Sequence, residues 1–102
     1  APQKSFSQIY TSRGIAFLKK KEYNTALDDF ERALSYEASG DGYFYRGLCH
    51  LFLKHEKPAL ADFKKANAGN FDTLNALETI GMLDGIRQDK TYKSVVKKLK
   101  KQ

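Results

Sequence analysis

Tyr10-Thr11-Ser12-Arg13-Gly14 is followed by Ala26-Leu27-Asp28-Asp29-Phe30, and Tyr43-Phe44-Tyr45-Arg46-Gly47 is followed by Ala59-Leu60-Ala61-Asp62-Phe63. The second set lies 33 residues after the first. A shift of that size aligns residues 7–34 with 40–67 and makes ten of 28 positions identical, well above chance. The other identities are Leu18/Leu51, Lys21/Lys54 and Ala33/Ala66. Ala26, Phe30 and Ala33 stand at i, i+4 and i+7, which is one face of a helix, and Ala59, Phe63 and Ala66 repeat that face. The fold is therefore expected to be built from one helical unit used twice.

Each unit reads as two helices. The first unit places one helix at about 7–20 and a second from an N-cap at Asn24 to about Tyr36. Ser39-Gly40-Asp41-Gly42 is the break before the second unit, whose first helix is expected at 41–54. Pro58 suits the first turn of the helix that follows, where a missing N–H leaves no bond unmade. That helix is expected to end near Ala68, with Gly69 in a left-handed cap. Gly14 and Gly47 lie mid-helix, where glycine costs up to about 1 kcal/mol relative to alanine. Two such costs at one repeat position predict close helix contact, with Ala26 and Ala59 as the facing small surface and Phe30 and Phe63 one turn further on.

A third unit is partial. Gly81 follows Gly47 by 34 residues, Asp72 can cap a helix, and Leu74, Leu77, Ile80 and Leu83 give it an apolar side. The register then fails, because the Ala, Phe and Ala positions fall on Lys93, Lys97 and Lys100. Tyr92, Val95, Val96 and Leu99 form a stripe in another register, so 90–101 reads as a last helix covering the open end of the stack.

The aromatic-x3-Gly, then Ala-x3-aromatic-x2-Ala pattern resembles the tetratricopeptide repeat family. Tyr10, Gly14, Phe17, Ala26, Phe30 and Ala33 carry it in the first unit, and Tyr43, Gly47, Ala59, Phe63 and Ala66 in the second. Arg13 and Arg46 depart from the family's usual leucine, His50 from its second aromatic and Ala38 from a common proline. The ankyrin turn Thr-Pro-Leu-His, from another family of 33-residue repeats, is absent. The resemblance implies an all-α domain over 1–102, a short right-handed superhelix of antiparallel helix pairs. Its repeats would span 7–39 and 40–71, with a degenerate third hairpin at 72–102 ending in a basic helix.

It also implies a concave face lined by first helices. The lining positions fall on Thr11, Ser12, Ile15, Leu18 and Lys19, then on Phe44, Tyr45, Leu48, Leu51 and Phe52. In the partial unit they fall on Glu78, Thr79, Met82, Gly85 and Ile86. Phe44, Tyr45, Leu48 and Phe52 are the expected anchors, beside Ile15, Leu18 and Met82, with Thr11, Lys19 and Glu78 for polar selectivity. One subclass of the family clamps C-terminal carboxylates. Its cation and amide positions correspond to Thr11, Ile15, Tyr45, Asn75 and Thr79, which disfavours that ligand.

The 102 residues are 41% hydrophobic and 13% aromatic, enough for a core. No apolar run of about 18 residues is present, so no transmembrane segment is expected. One cysteine cannot form an intramolecular disulfide or a cysteine-rich zinc site. Compartment stays open, the cytoplasm slightly favoured over a periplasmic or secreted location. The net charge of +6 sits mostly in Lys90, Lys93, Lys97, Lys98, Lys100 and Lys101. A solvated capping face explains this basic tail most simply, and attraction to an acidic protein or anionic membrane comes next. Nucleic acid is disfavoured, because the tail has no arginine and only Tyr92 to stack.

Little points to catalysis. His50 and His55 are five apart rather than four, so no metal or other cofactor is expected. Cys49 reads as a small core residue. Asp28, Asp29 and Asp62 read as a solvated outer face. No phosphate-binding glycine loop is present. The expectation is a non-enzymatic adaptor that takes a peptide or helix of a partner protein. The alternatives are a homo-oligomerising scaffold whose apolar helix 41–54 is the self-interface, and an anionic-surface binder acting through the lysine tail.

Overall fold

A computed structural model describes residues 2–101, with side chains described for 5–101. The described residues form α1 (Pro2–Lys19), α2 (Tyr23–Tyr36), α3 (Gly40–Phe52), α4 (Glu56–Ala68), α5 (Thr73–Thr79), a 3₁₀ segment (Gly81–Ile86) and α6 (Lys90–Lys100). No strand is present among them. The architecture is all-α, with helices packed in adjacent pairs: α1 on α2, α2 on α3, α3 on α4, and α6 over α4 and α5. Among the described residues no helix is long and apolar enough to cross a membrane.

Tight turns make the pairs. At the end of α1, the N–H of Lys21 donates to the carbonyl of Leu18 (3.0 Å) and that of Glu22 to Phe17 (3.0 Å). At the end of α3, Lys54 bonds to Leu51 (3.1 Å) and His55 to His50 (2.8 Å). These are paired Schellman closures, and each places a lysine at φ 66° in the left-handed region. α4 closes in the same way, with Asn70 at φ 66°. Gly69, expected to be left-handed, has φ −89° and sits one residue earlier as the C-cap. Asn24 is not an N-cap either. The N–H of Ala26 already bonds to Glu22 (3.0 Å), so the helix is under way before Asn24. The expected break does cap α3: Ser39 Oγ accepts from the N–H of Gly42 at 3.2 Å.

The repeat glycines answer to aromatic rings. A Cβ on Gly14 would lie 2.6 Å from Phe30 Cε1, and one on Gly47 would lie 2.6 Å from Phe63 Cε1. Close helix contact is therefore confirmed, and the Phe30 and Phe63 rings are what press most closely on the glycines. Both phenylalanines are fully buried in a core that runs on through Phe44, Leu48, Leu77, Leu83, Val95 and Leu99.

Asp29 and Asp62, expected on a solvated face, are only 4% and 3% exposed. Arg13 and Arg46 reach across their hairpins to them. Nε donates to Oδ2 at 2.9 Å in both pairs, and Nη2 donates to Oδ1 at 2.7 and 2.8 Å. Each aspartate is thus engaged at both oxygens by one guanidinium.

The third hairpin is irregular. Asp72 caps α5 as expected, accepting from the N–H of Asn75 at 3.2 Å. The helix stops at Thr79, because Ile80 turns extended, and Leu83 is buried from the 3₁₀ segment instead. Gly81 and Gly85 both weaken a continuous helix there. α6 covers the stack as expected. Asp89 caps it, and Tyr92, Val95 and Leu99 are buried against its neighbours. Lys98 pairs with Glu56, and Lys54 with Asp89.

α3 lies between α2 and α4. Phe44, Leu48, Cys49 and Leu51 are buried there, and Tyr43, Tyr45 and Phe52 are half-buried. A self-interface on 41–54 would have to be built from those half-buried rings, since the other apolar residues of the helix lie in the core.

Candidate functional site

A cavity of about 320 Å³ opens between α1 and α3. From α1 it is lined by Ser7, Gln8, Thr11, Ser12 and Ile15. The joint into α3 adds Glu37, Ser39 and Asp41, and Tyr45 and Phe71 complete it. The i, i+4 rhythm of Ser7, Thr11 and Ile15 sets three of these on one face of α1.

Its chemistry is uneven. Its formally charged lining groups are Glu37 and Asp41, both acidic. Burial raises the Tyr45 phenol above its ordinary pKa, and the negative charge of Asp41 adds to this, so the group is a neutral hydrogen-bonding partner. Asp41 Oδ1 also accepts from the N–H of Gly42 at 3.0 Å. Thr11 is 9% exposed, and its hydroxyl has no hydrogen-bond partner among the described residues. No fully enclosed side-chain nitrogen or oxygen among the described residues lacks a partner, so this hydroxyl keeps a contact with the cavity. Phe71 stacks on Phe44 at 4.7 Å and Tyr45 stacks on Phe30 at 5.8 Å, which ties the apolar part of the wall to the core.

Of the expected concave residues, the structure brings Thr11, Ser12, Ile15 and Tyr45 together. Phe44, Leu48 and Leu18 are corrected to core: the first two are 0% exposed, and Leu18 is buried beside them. Phe44 is enclosed by Tyr45, Phe63 and Phe71. Phe52 is half-buried and stacked on Tyr23 at 4.8 Å, two turns of α3 away from Tyr45. Lys19 is exposed at the end of α1 and does not line the cavity. Glu78 is exposed on α5 and Met82 half-buried in the 3₁₀ segment, and neither reaches the cavity, because the helix they were expected to share is broken at Ile80. The sequence reading missed Ser7, Gln8, Glu37, Ser39, Asp41 and Phe71. Extending the α1 face one more turn back would have found Ser7. Asp41 sits in the break between units, which read only as a break, and Glu37 is the C-cap of α2 just before it.

Burial pushes the Cys49 thiol up to about 12, with the charge of Asp62 adding to it, so no thiolate is on offer. Burial lowers the pKa of His50, whose Nδ1 lies 3.4 Å from Nδ1 of His55 and whose Nε2 lies 4.0 Å from Asp62 Oδ2. No group of three or more His, Cys, Asp or Glu with metal-binding placement occurs among the described residues. On α6 and at its C-cap, Lys90, Lys93, Lys97, Lys100 and Lys101 are exposed and make no ion pair among the described residues, while Lys98 is engaged by Glu56.

Comparison with family models, curated protein sequences and solved structures returns no match.

Proposed function

We propose that this chain is a tetratricopeptide-type adaptor that holds a peptide segment of a partner protein, without catalysing a reaction. One observation carries the reading: the cavity between the first helices of the two repeats, lined by Thr11, Ser12, Ile15 and Tyr45. Grooves that take extended or helical segments combine an apolar wall with a few placed polar groups, and this one sets Ile15 and Phe71 beside Thr11, Tyr45 and Asp41.

Peptide-display capture by the wild-type chain beside Ser12→Trp tests it. Ser12 is exposed and lines the cavity, so tryptophan fills the cavity without entering the core. The expected result is a peptide motif enriched by wild type and lost in the variant, at unchanged helical circular dichroism. Enrichment that survives Ser12→Trp sinks this site.

A second reading has its own support in the unpaired lysines of α6. Lys93, Lys97 and Lys100 recur at i, i+4 and i+7 and form one exposed face over a sealed apolar one. That face would be drawn to an anionic surface by charge alone. Co-sedimentation with anionic vesicles that persists at high salt would contradict it.

A further inference from the structure

We infer that the cavity between α1 and α3 selects a cationic side chain, lysine or arginine, from the peptide it holds. The inference rests on reading that cavity as the peptide site. Two independent observations converge. Among the described residues, the formal charges on its wall are two carboxylates, Glu37 and Asp41. Thr11, nine-tenths buried, presents a hydroxyl with no partner among the described residues to the same space.

The occupant's chemistry follows. An anionic side chain would enter against both carboxylates with nothing to compensate it. A purely apolar side chain would displace water from the Thr11 hydroxyl and offer it no partner in exchange. A bare metal ion wants six or more oxygen ligands around it, whereas Ile15 and Phe71 take up part of this wall. A lysine or arginine meets all three constraints. Its methylene stem lies along Ile15, Phe71 and the Tyr45 ring, and its charged head reaches the carboxylates. Its N–H groups have acceptors in Glu37, Asp41 and the Thr11 oxygen. The faces of Tyr45 and Phe71 are also compatible with a cation passing over them.

The test is an amide-resolved NMR titration of the full chain with N-acetyl methylamides of arginine, lysine, norleucine and glutamate. Saturable shifts at Thr11, Ser12, Asp41 and Tyr45 are expected from the arginine and lysine probes, with norleucine weaker by at least about fivefold and glutamate silent there. Glu37→Gln with Asp41→Asn should erase the preference for the cationic probes. Asparagine keeps an oxygen for the Gly42 N–H, so the fold of the α3 start is preserved. Norleucine binding as tightly as lysine at the same amides overturns the charge selection and leaves the peptide site standing. Silence of all four probes at these amides, with displayed peptides also failing to shift them, overturns both. A cationic preference untouched by the double substitution overturns the assignment to Glu37 and Asp41.

Discussion

Arg13–Asp29 and Arg46–Asp62 are one device built twice, and they show what a single residue does in this fold. Each guanidinium presents two N–H groups in a fixed fork that matches both carboxylate oxygens. The two copies differ in burial. The Arg13 side chain is 55% exposed and that of Arg46 22%, whereas both aspartates are sealed. Removing the arginine leaves a buried carboxylate without its partner, and the cost grows as water is kept further away. Arg46→Ala is therefore expected to lower stability by about 2 kcal/mol, and Arg13→Ala by less, as read from urea unfolding midpoints. Arg46→Lys should recover only part, because an ammonium cannot make the bidentate pair. A loss from Arg13→Ala equal to or above that from Arg46→Ala would contradict this ranking. Both arginines and both aspartates were visible as repeated identities in the sequence, yet their partnership was not. The residues of each pair are 16 apart, and only the tight turn at Lys21 or Lys54 brings them face to face.

Elements were legible in proportion to how local their causes are. α2 and α4 follow from the i, i+4, i+7 pattern, α1 and α3 from the repeat that contains them, and α6 from its own apolar stripe. α5 was not legible past Thr79, because its end is fixed by a residue distant in sequence. Arg87 donates from Nη1 to the carbonyl of Leu77 at 2.7 Å and from Nη2 to that of Ile80 at 2.8 Å. The same Nη1 reaches the Tyr92 hydroxyl at 2.9 Å, and that hydroxyl donates to Leu77 at 3.0 Å. One guanidinium thus terminates α5, braces the 3₁₀ segment and fastens α6. Carbonyls at a helix end that lose such a partner must find water or fray. Arg87→Lys is expected to speed hydrogen exchange at the amides of 77–86 and 92–95 while leaving those of α1–α4 unchanged. Lysine keeps the charge but loses the fork, so unchanged exchange over 77–86 would show that charge alone holds the junction. The cavity follows the same rule of locality. Thr11, Ile15 and Tyr45 were reached through the lining positions that the family resemblance implies, whereas Glu37 and Asp41 enter from a joint whose course the pattern does not set.

At the scale of the whole molecule, the two ends of the stack are unlike. α6 closes one end with Tyr92, Val95 and Leu99. At the other end Phe6 and Ile9 of α1, with Tyr36 of α2, remain exposed, and Tyr36 stacks on Tyr10 at 6.0 Å. In a stack where each hairpin touches only its neighbours, stability is a sum of unit and interface contributions, and the ends can come apart first. Here units and interface share one aromatic cluster. Phe44 of α3 contacts Phe63 of α4 and Phe71 beyond it, and its neighbour Tyr45 stacks on Phe30 of α2. The core runs without a gap from Leu18 to Leu99. Such continuity couples the ends, so urea unfolding should be one transition, with circular dichroism and tyrosine fluorescence coincident. Leu18→Ala near one end and Leu99→Ala at the other should each cost about 2–4 kcal/mol and move the entire transition rather than a fraction of it. If Leu99→Ala splits the curve, with α5 and α6 melting ahead of the repeats, the third hairpin is a separate lid and not part of the cooperative unit. The cavity between α1 and α3, which draws Phe71 from the segment just before α5, would then be expected to loosen in that first step.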